Sequence, residues 1–147
     1  MSGDLAAIIF DRSADWWRNP PCPEDDIRVL RAAAPVRLPD DYFAFLSLTN
    51  GGEGELAASP GWFKIWAANE VLANNRAHER DEYYSDLFLF GDCDGNLFAF
   101  DLNRKFPWPL VALDYLDSER ECMRQLGPNF IEFARLMGRR WEPDIPT

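Results

Sequence analysis

The residues whose types and spacing could do chemistry are gathered in one stretch, FGDCDGNLFAFDL, at positions 90–102. Asp92, Asp94 and Asp101 surround one glycine there, a pattern that could serve a calcium loop, a carboxylate active site or a hairpin turn. Aligned on the glycine of an EF-hand, the stretch puts Phe90 where the first carboxylate ligand is needed. The flanking segments are also typical of strands rather than helices. We therefore expect no metal site in this stretch.

A pair of carboxylates could instead act as general acid and general base in a small hydrolase. The stretch offers Asp92 with Asp94 or Asp101 for these roles. Nothing around these residues indicates the raised pKa that an acid catalyst needs. The hydrolase is therefore a remote alternative, and we predict no catalytic residue.

Other catalytic chemistry is poorly represented in the chain. His78 is the only histidine, and it lies in a polar segment that is typical of a surface helix. The three cysteines lack the close paired spacing of a zinc site. No GxSxG element for a serine nucleophile and no glycine-rich phosphate loop is present. We expect a protein that is not an enzyme and has no cofactor or metal.

The same stretch is well explained as a β-hairpin. Asp-Gly at positions 94–95 is a preferred pair for a two-residue turn. With these two residues as the loop, the predicted register pairs Gly91 with Phe98 and Leu89 with Phe100. One wholly apolar face then contains Leu87, Leu89, Phe98, Phe100 and Leu102. Asp92, Asp94 and Asp101 are left on an acidic rim that a partner could use.

The elements that would position this hairpin are helices that come before and after a block of strands in the sequence. A helical stripe at the N-terminus includes Leu5 and Trp16, and further helices are predicted after Pro23, after Pro39, from Asn69 and after Pro128. A short strand over 62–66 and three apolar segments between 87 and 116 predict antiparallel pairing. Because helices flank the strands instead of alternating with them, the predicted class is α+β. We expect a single domain over residues 1–147, with a central, mostly antiparallel sheet and four to five helices.

The formal charge of −10 excludes one class of partner and favours another. Phosphate backbones repel such a surface, so we expect no nucleic-acid binding. A basic protein partner would be attracted to it. No apolar run is long enough for a membrane span, and the N-terminus has an aspartate where a signal peptide needs positive charge. We therefore expect a cytoplasmic protein, which suits an odd number of well-separated cysteines.

Aromatic residues are the other unusual feature, with six tryptophans in 147 residues. Most of them are expected in the core. Trp62 and Trp66 are predicted to be exposed anchors of a binding surface, because loop-forming residues precede them and strand alternation puts both on one face. The candidate partner-binding residues are Asp92, Asp94, Asp101, Trp62 and Trp66.

The order of several motifs resembles that of the SUKH superfamily. The segment VRLPDDYFAFLSLTNGGEGEL is similar to the family's signature helix, which opens with Leu-Pro and ends at Asn-Gly-Gly. The segment LFLFGDCDGNLFAFDL resembles its Gly-Asp-Gly-Asn hairpin, and LVALDYLD and FIEFARLM resemble its later strand and closing helix. The resemblance covers residues 24–138, and residues 1–21 are expected to form a variable N-terminal helix.

The resemblance implies a protein-binding scaffold rather than an enzyme. Bacterial members resemble immunity proteins that bind and neutralise secreted or contact-delivered toxins, often nucleases, and fungal relatives are linked to regulation of cell-wall synthesis. We therefore predict an immunity protein that binds a basic toxin domain. A regulatory or scaffold domain that binds an endogenous protein is the alternative. The motif residues are expected to be structural, so the resemblance transfers no partner contact and no oligomeric state.

Overall fold

A computed structural model describes residues 2–77, 86–93, 95–114 and 123–142. The helices of this part of the chain are α1 (Ser2–Ile9), α2 (Glu24–Ala33), α3 (Asp40–Leu48), α4 (Ala68–Ala77) and α5 (Phe130–Ala134). Its strands are β1 (Trp16–Arg18), β2 (Gly52–Glu55), β3 (Trp62–Ile65), β4 (Leu87–Cys93), β5 (Asn96–Asp101), β6 (Leu110–Asp114) and β7 (Arg124–Gly127). All seven strands form one antiparallel sheet in which each pairs with the next along the chain. The predicted α+β class is confirmed.

The helices α2 and α3 begin where proline and acidic residues predict. Pro23 precedes α2 and Pro39 precedes α3, and each helix has carboxylates in its first turn. Those carboxylates complement the positive end of the helix dipole. Helix α3 buries Phe45 and Leu46 completely, so one side of this helix is packed in the core. No helix among the described residues is both long enough and apolar enough to cross a membrane.

Aromatic rings from α3, β4, β5 and α5 form the centre of the core. The closest pair is Phe90 and Phe100, whose ring centroids are 4.9 Å apart, and Tyr42 lies 5.3 Å from Phe100. The cluster contains Tyr42, Phe90, Phe98, Phe100, Phe130 and Phe133. Tilted and edge-to-face pairs of this kind add to the stabilisation that burial alone provides. The helices α3 and α5 are therefore held on one face of the sheet mainly by phenylalanines of the β4–β5 hairpin.

The β4–β5 hairpin has the predicted loop length but not the whole predicted register. Cys93 pairs with Asn96. Gly91 pairs with Phe98 as expected. A β-bulge between Leu89 and Gly91 then shifts the ladder by one residue, so that Leu89 pairs with Ala99. The predicted pairing of Leu89 with Phe100 is wrong because β4 contains one extra residue.

The bulge also redistributes side chains between the two faces of the hairpin. Leu87 pairs with Asp101 and Leu89 with Ala99, so both leucines lie on the face opposite Phe100. The single apolar face predicted for them is therefore wrong. Side chains on both faces are buried. A continuous apolar sequence is the expected result for strands that are covered on both faces.

The N-terminal segment contributes a strand that the sequence did not predict. Helix α1 ends at Ile9, and Trp16 lies in β1, the edge strand of the sheet, instead of continuing a helix. The guanidinium of Arg18 donates to the carbonyls of Ile9, Ala14 and Trp16 at 2.6, 3.0 and 3.1 Å. This side chain ties the end of α1 to the sheet edge and satisfies backbone groups there.

Glycines make room for the buried Trp16. A Cβ atom on Gly54 would lie 2.4 Å from the Cβ of Trp16, and one on Gly138 would lie 2.4 Å from its Cδ1. The ring of Trp16 stacks on Phe45 at 6.1 Å and meets Phe63 edge-on at 5.5 Å. The sequence GEGE, which forms β2, is therefore a strand because its glycines admit the tryptophan of the neighbouring strand.

Helix α4 completes the ladder where β3 ends. Strands β3 and β4 pair at Ile65 and Gly91. Beyond that pair, the Asn75 side chain accepts from the Leu89 N–H at 2.8 Å and donates to the Leu89 carbonyl at 2.9 Å. An asparagine amide can mimic a peptide group in this way because it carries both a donor and an acceptor. The helix that was expected to be a polar surface element therefore supports the middle of the sheet.

Candidate partner-binding surface

Trp66 is not the exposed anchor that the sequence predicted. Its side chain is buried, and its Nε1 donates to Oδ1 of Asp92 at 2.9 Å. Strand β3 ends at Ile65, so the alternation of side chains on which the prediction depended stops one residue too early. The structure thus brings together two of the predicted residues, Trp66 and Asp92, in a contact that joins the end of β3 to the end of β4.

The predicted acidic rim is also only partly present. Asp101 is 5% exposed, and its Oδ1 accepts from the Asn103 N–H at 3.1 Å while Arg104 lies 3.8 Å from its other oxygen. This carboxylate therefore closes the turn after β5. Asp92 is half-buried. Asp94 lies outside the described residues.

The ladder separates Asp92 from Asp101. Asp92 pairs with Leu97, which precedes Asp101 by four residues on β5. Four residues of a strand span about 13 Å. The carboxyl groups of glycoside hydrolases lie about 5–9.5 Å apart. These two aspartates are therefore too far apart to act on one bond.

Trp62 is 42% exposed and belongs to a different surface. Strand β2 lies between β1 and β3 and pairs with both. Trp17 of β1 lies opposite Glu53 of β2, Glu53 lies opposite Lys64 of β3, and Glu55 lies opposite Trp62. Directly paired residues and every second residue of a strand share one face of a sheet. We call this surface the outer face. It consists of Trp17, Glu53, Glu55, Trp62 and Lys64.

Trp17 is the most exposed large hydrophobic residue in the described part of the chain, at 70%. Its indole is nonetheless held in place, because Nε1 donates to Oδ1 of Asn19 at 3.1 Å. Asn19 in turn donates to the Asn50 carbonyl at 2.9 Å, and its own carbonyl accepts from the Thr49 hydroxyl at 3.1 Å. A large aromatic side chain that is both exposed and oriented is a good anchor for a binding partner.

Trp17 is not among the predicted anchors because the sequence pattern predicts a helix for the segment that contains Trp16 and Trp17. In a strand, adjacent residues point to opposite faces, so one tryptophan of the pair must be buried and the other exposed. That signal was present in the segment DWWRN. It required knowledge of β1, whose three residues are too few for a periodic pattern.

The outer face is acidic overall. Glu53 and Glu55 are exposed, and within the described part of the chain neither forms an ion pair. Lys64 lies opposite Glu53 and offsets one of these charges. Beside them, Glu70 contributes to a shallow depression of about 170 Å³ that Trp17, Glu53 and Lys64 also line. Two aromatic rings and two carboxylates on a rigid sheet can bind cationic side chains.

Comparison with known proteins identifies the family. Residues 21–135 match the model of the SMI1 / KNR4 family (SUKH-1), a span of well over half of the chain. The chain belongs to the SMI1 / KNR4 family. The resemblance drawn from the sequence motifs is thereby confirmed. A comparison with curated proteins found no match.

The SUKH-1 match covers most of the core but leaves out part of the outer face. Its motif residues Tyr42 and Phe100 lie in the aromatic cluster, as expected for residues that preserve a scaffold. Trp17 precedes the matched span, whereas Glu53, Glu55 and Trp62 lie within it. The outer face is therefore completed by a strand from outside the matched span.

Two further features bear on chemistry in this SUKH-1 protein. The Tyr42 hydroxyl is fully buried and has no hydrogen-bond partner among the described residues. Burial, with a smaller contribution from Cys22, raises the pKa of Tyr42, so the phenol stays protonated at neutral pH. Within the same part of the chain, no group of three or more His, Cys, Asp or Glu side chains could hold a metal ion.

Proposed function

We propose that this protein is a non-enzymatic protein-binding module, and that it acts as an immunity protein that neutralises a bacterial toxin by direct binding. The observation that carries the proposal is the outer face, where a fixed and highly exposed tryptophan lies among carboxylates on a rigid sheet. Membership of the SMI1 / KNR4 family supports a binding role. Neutralisation by binding needs an exposed surface and a stable scaffold but no catalytic group.

The charge of the chain supports a basic partner. At −10, the protein attracts positively charged proteins over distances of about 10 Å at moderate salt and repels nucleic acids. The surface with which a nuclease toxin binds phosphates is basic. An acidic protein that binds such a domain can therefore compete for the surface that holds its substrate.

The proposal places the protein in the cytosol, where a toxin would act. Cys22 is a buried thiol that forms no disulfide, which suits a reducing compartment. Burial raises the pKa of the Cys22 thiol, and the nearby Asp26 adds to the effect. The thiol is therefore protonated and poorly reactive at neutral pH.

Co-expression tests the proposal directly. Any toxin encoded beside the gene is produced with and without this protein, and growth is measured. We expect rescue of growth and a stoichiometric complex between this protein and a catalytically inactive form of the toxin. Absence of both rescue and complex would contradict the immunity role. A complex with an endogenous regulator, in cells that carry no such toxin gene, would support the regulatory alternative instead.

A further inference from the structure

We propose that the outer face is the docking site for the partner, and that it receives a basic protein surface through arginine side chains. This inference rests on the proposed binding function and adds its location and chemistry. The partner's guanidinium groups would stack on Trp17 and Trp62 while donating hydrogen bonds to Glu53 and Glu55.

The spacing of the two tryptophans suits a side chain placed between them. Trp17 and Trp62 lie on β1 and β3, on either side of β2, and they are offset by two residues through Glu53 and Glu55. Two strand spacings and two residue steps put their Cα atoms roughly 12 Å apart. The carboxylates of β2 occupy the floor between the rings. A guanidinium inserted there would meet an aromatic face and a carboxylate together.

Charge favours one corner of this surface. Lys64 lies across the strand from Glu53 and would repel a cation there. Glu55 lies across from Trp62 instead, and no described cation forms an ion pair with it. The strongest attraction for a partner's positive charge is therefore at Glu55 and Trp62. Trp17 supplies the second aromatic contact.

The chain's own arginines show which cation such rings accept. Arg18 lies over the ring of Trp16 at 4.5 Å, and Arg31 and Arg37 lie over phenylalanine rings at 4.2 Å. Within the described residues, no cation covers Trp17 or Trp62. Arginine is better suited than lysine here because its planar group can stack on a ring and donate to a carboxylate at once.

Peptide binding tests the chemistry of the site. The probes are an acetylated peptide of alternating glycine and arginine and its lysine counterpart of equal length. We expect the arginine peptide to bind more tightly in calorimetry and to shift the indole N–H signals of Trp17 and Trp62 in NMR spectra. Equal affinity for both peptides, no binding of the arginine peptide, or unchanged indole signals would overturn the proposal.

Variants test the location. Trp17→Thr and Glu55→Gln keep strand propensity or shape, and each should weaken binding of the arginine peptide by roughly tenfold, the effect of losing one interface anchor. The control variants Phe10→Ala and Glu24→Gln change an exposed aromatic residue and an exposed acid that do not belong to the outer face. They should bind as the wild type does. Equal losses in the controls would show general electrostatic attraction and overturn the proposal.

The growth assay separates this inference from the function on which it rests. If the wild type protects cells and the Trp17→Thr, Glu55→Gln double variant does not, although it is folded by circular dichroism, both are supported. If the double variant protects equally and binds the toxin with unchanged affinity, the docking site lies elsewhere and the immunity role stands. If the wild type itself gives neither protection nor complex, the proposed function fails.

Discussion

The two halves of the sheet differ in how their faces are used. In β4, β5 and β6, side chains on both faces are buried over almost the whole length of each strand. In β2 and β3, burial alternates strictly, with one residue buried and the next exposed. The half that contains β4–β6 is therefore a core element. The half that contains β2 and β3 has one face that packs against the core and one face that is open to solvent.

This difference separates stability from recognition. Substitutions in β4–β6 must fit a packed interior on either side, so few changes are tolerated. Substitutions at Trp17, Glu53, Glu55 and Trp62 alter exposed side chains while Trp16, Phe63 and Ile65 keep the same strands attached to the core. Under the docking proposal, a scaffold of this kind changes its partner by changing the outer face alone.

The largest effect is expected for Phe90→Ala, at the centre of the aromatic cluster. Phe90 is fully buried and lies within 6.3 Å of Phe98 and Phe100, measured between ring centroids. Loss of the ring should reduce the free energy of unfolding by about 3–5 kcal/mol. Urea denaturation measures this, with Phe10→Ala as the exposed control. A loss below about 1 kcal/mol would mean that the cluster can repack, and that β4–β6 are not the rigidly packed half of the sheet.

A smaller loss is expected for Gly54→Ala, which tests how the open half is attached. The new methyl group would lie 2.4 Å from the Cβ of Trp16, so β1 and β2 must move apart. Overpacking of this kind costs about 1–3 kcal/mol. Urea denaturation and the near-ultraviolet circular dichroism of the tryptophans report the change. Glu53→Ala changes the neighbouring residue, which faces outward, and is the control. An equal loss in both variants would contradict the conclusion that Gly54 makes room for Trp16.

Sequence reasoning was most successful where side-chain patterns extend over several residues. The apolar segments around Leu89, Phe98 and Val111 were correctly assigned to antiparallel strands, and Pro23 and Pro39 marked two helix starts. It did not predict β1, β2 or β7, because strands of three or four residues, one of them GEGE, have no detectable period. It could not predict the β-bulge either. That extra residue is stabilised by tertiary packing of Phe90 against distant rings.

For the candidate binding surface, a predicted exposure was correct or wrong according to whether the residue lies within a strand or beyond its end. Trp62 was correctly expected on an exposed face with Lys64 because both lie within β3. Trp66 was misassigned because the strand ends before it and its indole turns to Asp92. Asp101 was misassigned because a local turn with Asn103 encloses it. Such contacts depend on where the chain bends, which alternation alone does not define.

A loss of about 1–2 kcal/mol is expected for Asn75→Asp, which tests the joint between the two halves. Aspartate keeps the acceptor for the Leu89 N–H but cannot donate to the carbonyls of Leu89 and Val71. Two lost hydrogen bonds in a half-buried position together have about this value. Urea denaturation measures the loss, and hydrogen exchange at the Leu89 amide shows whether the ladder opens locally. Asn69→Asp, in the first turn of the same helix, is the control. Unchanged stability would mean that α4 merely lies beside the sheet.

The smallest effect on stability is expected for Trp17→Thr, and it decides whether the outer face is independent of the core. Trp17 is 70% exposed, and threonine keeps the strand propensity of its position. The free energy of unfolding should change by less than about 0.5 kcal/mol, as for other surface substitutions. Urea denaturation of this variant is compared with that of Trp16→Thr. The ring of Trp16 stacks on Phe45, so its loss should reduce the free energy of unfolding several times more. Similar losses at Trp16 and Trp17 would show that the exposed indole helps to hold β1 in place. Stability and recognition would then share a residue, and the open half of the sheet could not vary freely.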